Sequence, residues 1–503
     1  MTVTTTSAPA DSNHSANPGP GPVRIDRHHD CDVLIIGSGA GGATTAATLA
    51  EAGHDVLVVE EGSWIPQGSI TPFSLEQMDR QYRSGGVTVA LGLPSIAYTE
   101  GRCAGGGTEV NSGLYRRPPG DTLRRWREDY GIVDFDDDAV GSICDEVEAA
   151  LSVQKVPGAQ TAASDILRRG ADSLGWQYDE SPRWMTYPEG GAAVEGRRQS
   201  MTETYLPRAI AAGARVLTEH RLDHLVMHDN RALRAELTST ADGDRPVTIS
   251  FRDVIVCGGA IQTPAMLQRS GLRHRIGRTL AVHPTVKLAA RFDGAVNTPG
   301  DVAVIQVKEF APEISFGGSA SHPGLVALAL ADNWRDFGHA VTAWPELVIY
   351  YAAITSQGRG WVQAVPGFRD PVVTYRLTRR DRDLLGQGLA RLALVMLEAG
   401  ALEVYPSFRG APLVRSRGDL AALSASFAAT KATVMTVHLC STAPMGEDRR
   451  RCATDSFGRV HDIENVYVND AALLPDAPGV NPQASVMAVA IRNARRFADA
   501  KAG

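Results

Sequence analysis

Lysine is scarce in this chain: five residues among 503, at positions 155, 287, 308, 431 and 501. Arginine supplies the rest of the 50 basic side chains, and 57 acidic ones leave a formal charge of −7. That balance argues against a nucleic-acid partner or an anionic membrane surface, since either favours a basic face. The six cysteines (31, 103, 144, 257, 440 and 452) contain no C-x-x-C pair and no zinc-ligand spacing. No zinc module or disulfide framework is therefore expected, and a reduced, cytoplasmic chain is the expected reading. No window approaches the roughly 18 uninterrupted apolar residues of a membrane span. Residues 1–30 are rich in Thr, Ser, Ala, Pro and Gly and lack the apolar stretch of about 7–15 residues that a secretory signal requires. They read as a disordered tail. With 43% hydrophobic and 21% charged residues, the remainder is long enough for a full-sized core without metal or disulfide staples. Its length suggests two to four domains.

What the chain has in excess is glycine: 50 residues, near one in ten, against about 7% on average. No repeat accounts for them, so they mark tight turns or close approaches of the backbone. The first cluster is the most specific. Asp32–Ile36 is a short β-branched run suited to a buried parallel strand. Gly37-Ser38-Gly39-Ala40-Gly41-Gly42 follows as G-x-G-x-x-G, then an alanine-rich helix over 43–52 with Gly53 as its cap. A second strand, Asp55–Val59, ends at Glu60, 23 positions after Gly37. This is a complete dinucleotide-binding βαβ unit. Gly37 would make the turn, Gly39 would let the backbone approach a pyrophosphate, and Gly42 would let the helix pack on the strand. Free N–H groups at the helix start would hold the phosphates, and Glu60 would accept from ribose hydroxyls. These residues do not separate FAD from NAD.

Further clusters follow. Gly101–Gly113 holds three consecutive glycines and reads as a loop rather than a helix or strand. The run Val254–Cys257 is a strand leading into Gly258-Gly259-Ala260-Ile261-Gln262-Thr263-Pro264, with Thr263 expected to cap a helix that begins at Pro264. Val466–Val468 is a strand followed by Asn469-Asp470-Ala471. Gly479-Val480-Asn481-Pro482 leads into a helix of roughly 484–498. His220, His224 and His228 recur every fourth residue, but 216–227 is strand-like, so a metal-binding helix face is not expected. His283, in a His-Pro step, reads as structural.

In this order the clusters resemble the glucose–methanol–choline (GMC) family of flavin oxidoreductases. The matching stretches are Gly37–Gly42, Gly101–Asn111, Gly259–Gly271, Ile276–Pro284, Ser356–Gly360, His438–Gly446 and Gly479–Pro482, spanning residues 31 to 500. The resemblance implies an α/β fold: a Rossmann-like FAD domain with a second α+β substrate domain on an antiparallel sheet. It implies an FAD domain assembled from 31–115, 200–290 and 440–503, and a cap from 116–199 and 291–439. The cap sheet would use strands at 302–307, 325–330, 347–352 and 372–377, covered by a helix over 381–400. It implies oxidation of a small-molecule CH–OH group to the carbonyl, with hydride passing to flavin N5, His438 as base and Asn481 holding the oxygen. Gly106, Thr108 and Asn111 would line the flavin, the backbone at Leu222 would meet the adenine, and Gly259, Asp470, Ala471 and Pro482 would complete the cofactor site, with no metal.

The expected substrate is a sugar or secondary metabolite; the alternatives are long-chain alcohol oxidation and a non-redox flavoprotein such as a lyase or photodecarboxylase. The electrons would pass to oxygen or another acceptor. Covalently flavinylated members carry a histidine just before the G-R-x-x-G-G loop. Here Thr99-Glu100 stand there, so non-covalent FAD is expected. Ser441 replaces the usual glycine of H-x-x-G-T. If φ is positive there, serine costs about 1 kcal/mol or more unless the loop takes another path. Arg116 and Arg117 follow the glycine loop and could serve flavin, surface or an anionic substrate.

Overall fold

Strand β1 (His28–Ile36), helix α1 (Ala40–Glu51) and strand β2 (Val56–Val59) form the expected unit. The structure is a computed structural model that describes residues 28–241 and 243–501. β1 begins at His28, so residues 28–30 of the expected tail are strand, paired in parallel with Thr248–Ser250; residues 1–27 lie outside the described part. β1 is central because both its faces are apolar: Leu34 and Ile35 are fully buried. β2 lies on one side and Pro246–Val256 on the other, both parallel to it. Arg215–Leu217 extends the sheet beyond β2. On the far side, Pro246–Val256 pairs by its first half with the antiparallel strand Arg231–Ser239, itself followed by His220–His228. Its second half pairs in parallel with Val466–Val468. Sequence-distant strands thus converge on the end of the sheet where β1 runs into the glycine turn.

A second sheet, with nine strands among the described residues, runs Thr88–Ala90, Ile96–Tyr98, Val434–Thr436, Thr285–Arg291, Leu347–Ile354, Ile314–Gly318, Ile305–Val307, Tyr178–Glu180, with Glu403–Pro406 also paired to Thr285–Arg291. It is antiparallel except where Val434–Thr436 meets Ile96–Tyr98. One face (Leu288, Tyr350, Phe316, Ile305) is buried in a core shared with Leu385, Leu389 and Leu392 of the helix Arg379–Glu398. The expected covering helix is therefore present. Its Thr378 cap accepts from Asp381 N, and Asp381 accepts in return from Thr378 N.

Several expectations are corrected. Residues 323–330 form a helix, Pro323–Leu330, not a strand; a short, uniformly apolar run has no period to read, and Pro323 at its first turn favours the helix. Val372–Arg376 is a strand but forms a separate two-stranded sheet with Arg359–Gln363. Thr263 and Pro264 lie inside the helix Gly259–Arg269 rather than at its start. Gly107–Val110 is a single helical turn within the glycine loop. Residues 88–98 and 285–290, assigned by resemblance to the FAD half, contribute strands to the second sheet. Conversely Leu123, Trp126, Val140 and Ile143, assigned to the cap, pack into the same core as Leu34 and Ile35.

Candidate active site

The glycine turn shows what each glycine does. Gly37 has φ +100°, and a Cβ there would stand 2.3 Å from Cys257 O. A Cβ on Gly42 would stand 1.9 Å from Gly37 O, so this glycine lets α1 close on the turn. Gly41, which the motif leaves unspecified, is equally constrained: its Cβ would lie 2.1 Å from Asn469 O. Gly39 differs. Its φ is an ordinary −67°, and the nearest atom to an added Cβ is Gly106 Cα at 3.9 Å. Gly39 and Gly106, the latter at φ +54°, therefore face each other at the start of α1. Two bare backbones converge where the first N–H groups of the helix have no partner within it, which suits a pyrophosphate. Glu60, at the end of β2, is buried. Its Oε2 accepts from Ser38 N (3.0 Å) and Ser38 Oγ (2.7 Å), and its Oε1 from Gly62 N (2.9 Å). Burial raises its pKa, and Oε1 keeps a lone pair for a further donor. The residues present fit a dinucleotide.

The other cofactor-site candidates gather around this turn, save two. Thr108 Oγ1 donates to Gly105 O (2.7 Å) and accepts from Met201 N (3.1 Å), pinning the loop. Asn111 donates to Gln483 Oε1 (2.9 Å), tying that loop to the helix Gln483–Lys501 just after Pro482. Asp470 accepts from Gly259 N (2.7 Å), Thr263 Oγ1 (2.5 Å) and Ala472 N (2.7 Å), and burial pushes its pKa up to about 6. Thr263, expected as a cap, thus serves Asp470. Ala471 O accepts from Ser441 N (3.2 Å). Leu222 is the first exception: its side chain is buried in the core, and its backbone pairs with Leu237. Pro482 is the second; its carbonyl accepts from Val486 N at the start of the last helix.

His438 is set by strand pairing. Leu439–Cys440 pairs antiparallel with Ala281–Val282, Val282 opposite Leu439, so the next residues out, His283 and His438, face each other. Their Nδ1 atoms are 2.9 Å apart. His438 Nε2 lies 3.4 Å from Asn481 Nδ2, and His283 Nε2 accepts from Gly479 N at 3.0 Å. His283, read from sequence as structural, therefore touches the candidate base. Burial drives the pKa of both rings down, His438 to about 4; the Lys308 charge lowers both further, and His438 also lowers His283. Donors stand at both ends of this pair, from Gly479 and Asn481. If both were accepted, each neutral ring would carry its hydrogen on Nδ1, and two hydrogens would meet in the 2.9 Å gap. Only one end can be satisfied at a time. The shorter Gly479 bond places the His283 hydrogen on Nδ1 and leaves the His438 hydrogen on Nε2.

Beyond His438 the backbone takes the conformation that a glycine at 441 would favour. Ser441 has φ +69°, the left-handed conformation that glycine adopts freely. Ser441 N, Ala443 N and Met445 N donate in turn to Ala471, Ala472 and Leu473 carbonyls. The buried Ser441 hydroxyl donates to Pro475 O at 2.6 Å, and Thr279 donates to Ser441 O.

Comparison with known proteins gives the family. The family models for GMC oxidoreductase match residues 78–285 and 361–490, and an FAD-binding domain model matches 32–74. The chain belongs to the GMC oxidoreductases. It is an FAD-dependent oxidoreductase of this family, as the motifs implied. An uncharacterized GMC-type oxidoreductase of Sinorhizobium fredii is 40% identical over 472 residues, covering 92% of this chain and 94% of that one. A long-chain-alcohol oxidase of Arabidopsis thaliana is 25% identical over 496 residues, covering 92% of this chain and 67% of its own length. The crystal structure of pyridoxine 4-oxidase from Mesorbium loti shares the fold, with a TM-score of 0.69 at 18% identity, covering 93% of this chain and 99% of that one. Among the described residues no helix is long and apolar enough to cross a membrane.

Proposed function

We propose that this protein oxidises a CH–OH group of a small molecule to a carbonyl, with His438 receiving the hydroxyl proton at Nε2 and Asn481 holding the same oxygen. The observation that carries this reading is the 3.4 Å approach of Asn481 Nδ2 to His438 Nε2, two polar groups close enough to meet one substrate oxygen. FAD, when bound, takes the hydride. The protein's part is the proton and the oxygen. Burial keeps His438 neutral, as a base must be. In the resting order of hydrogens His438 presents Nε2–H and steadies the substrate oxygen as a donor. Acceptance at Nε2 goes with the reverse order, in which His283 carries its hydrogen on Nε2 and releases the Gly479 amide.

FAD is held without a covalent link in this reading, since Thr99 and Glu100 offer no histidine ahead of the loop. Gly37, Gly39, Gly42 and Gly106 give the backbone cradle. Glu60 takes the ribose, and Asp470 braces the turn beneath. The relative named a long-chain-alcohol oxidase supports an alcohol donor. A polar hydroxyl compound, a sugar or secondary metabolite, is the substrate class proposed, with oxygen or another acceptor taking the electrons. Anaerobic mixing with an alcohol panel tests the reading: bleaching of the flavin band supports it, and no bleaching by any alcohol contradicts it. Hydrogen peroxide on readmission of air would identify oxygen as the acceptor.

A further inference from the structure

The nine-stranded sheet has one apolar face, packed under the helix Arg379–Glu398. The other is apolar at one end, where Ala289, Ile349 and Tyr405 pack with Val326, Leu330 and Phe337, and polar at the other, where strand register fixes its members. Asp179, Gln306, Gly317, Tyr351 and Lys287 stand in one row across five strands. Lys308, Ser315, Ala353 and Thr285 form the next row, and the Thr285 hydroxyl donates to His283 O at 3.1 Å. This face therefore runs from the histidine pair outward. Two of the chain's five lysines lie on it. Lys287 donates to Ser319 Oγ (3.0 Å), toward the side of the face away from His283. The Lys308 ammonium has no hydrogen bond or ion pair among the described residues; Arg116 and Asp179 are the charges that act on it, and its own charge reaches both histidines.

Of the two arginines after the glycine loop, Arg117 turns outward to Asp145 and Glu148. Arg116 turns inward. One of its nitrogens pairs with Asp179, but its Nε and a second terminal nitrogen are buried without a partner. Beside it Gln306 donates to Tyr351 OH (3.4 Å), while its Oε1 is also buried and unpartnered. Gly317 makes room: a Cβ there would stand 2.5 Å from Tyr351 OH. Buried guanidinium donors without an acceptor are costly, and a half-buried ammonium beside them adds a second positive charge, with Asp179 shared between the two cations.

The geometry points to a substrate that carries an anionic group, a carboxylate or a phosphate, held by Arg116 and Lys308 while its hydroxyl lies at His438. This rests on the reading of His438 as the site of oxidation. A planar guanidinium with two free donors and a point-charge ammonium is the pairing that recognises such oxyanions. A long hydrocarbon chain would leave these groups unpaired.

The test separates the two claims because it does not require turnover. Holoprotein is titrated with butanoate, butanamide and butyl phosphate, and binding is read from the flavin absorbance. The expected result is butanoate or butyl phosphate bound about 10- to 100-fold more tightly than butanamide, as charge-assisted bonds allow; whichever anion binds better identifies the source. In Lys308→Met, and in Arg116→Met with Lys308→Met, the ratio of anion to amide affinity should fall toward one while FAD content is kept. Equal affinity for butanoate and butanamide in the wild type would overturn the inference. So would an unchanged ratio in Lys308→Met, or a loss of FAD with the ratio intact, which would assign the cations to the cofactor. Failure of every alcohol to bleach the flavin would instead count against the proposed oxidation.

Discussion

Ser441 offers a test in which two effects of similar size can be separated. Its φ of +69° costs a side-chain-bearing residue about 1 kcal/mol or more relative to glycine. Its buried hydroxyl donates to Pro475 O at 2.6 Å, a bond worth about 1 kcal/mol net. Pro475 O also accepts from Tyr130 OH at 3.3 Å, so removing the serine hydroxyl does not orphan it. Ser441→Ala loses the bond and keeps the strain, and should be about 1 kcal/mol less stable than the wild type. Ser441→Gly loses the bond and the strain together, and should lie within about 0.5 kcal/mol of the wild type. If the chain unfolds cooperatively, an unfolding entropy of about 2.1 cal/mol/K per residue makes 1 kcal/mol roughly 1 °C in a protein of this size. Parallel replicate melts, or urea midpoints, are therefore needed. Both variants should keep FAD and flavin reduction, since the ladder from Ser441 to Met445 along Ala471–Leu473 is main-chain. Equal stability of the alanine and glycine variants would refute the strain. An alanine variant as stable as the wild type would refute the compensating bond.

Other outcomes follow from the same geometry. Gly39→Ala should fold but bind FAD poorly, because its Cβ meets only open space where the cofactor belongs, whereas Gly42→Ala should fail to fold; FAD content and circular dichroism of the two separate these cases. Asp470→Asn sets an amide N–H against main-chain or hydroxyl donors and should cost about 1–3 kcal/mol, seen as faster flavin release on mild urea treatment. Flavin reduction should be independent of pH from about 6 to 8 and fall in acid as His438 is protonated, because burial lowers its pKa to about 4. The same shift has a stability sign: the unfolded histidine, near 6.5, takes a proton that the folded one refuses. Its contribution is fully present above about pH 6.5 and is lost as pH falls toward 4, and His438→Phe should flatten that part of the urea-midpoint profile.

The local parts of this site were legible in the sequence because they are local. The βαβ unit with Glu60 sits within some thirty residues, and its glycines carry their own steric reasons. The shape of the G-x-G-x-x-G pattern hid Gly41, whose constraint comes from Asn469, more than 400 positions away. His283 was missed for the same reason. It meets His438 through a two-residue strand pairing between segments 155 positions apart, and nothing in a His-Pro step records that. The strand expected at 325–330 failed where periodicity carries no information. The division of the two halves was blurred because helices such as Gly120–Tyr130 and Asp137–Ala150 follow the hydrophobic partner they find rather than their place in the chain. Ser441 stands out against the family's H-x-x-G-T pattern. The positive φ was a conditional expectation, and the hydroxyl bond to Pro475 needed the fold.

The central claim, that His438 exchanges the substrate proton, is tested most directly by anaerobic stopped-flow reduction of His438→Ala beside the wild type, using any alcohol that bleaches the wild-type flavin. The account predicts FAD retained at wild-type occupancy and reduction slowed by about 10²- to 10⁴-fold, the range of a general base. Reduction at the wild-type rate would contradict it, and loss of FAD would make His438 a structural residue.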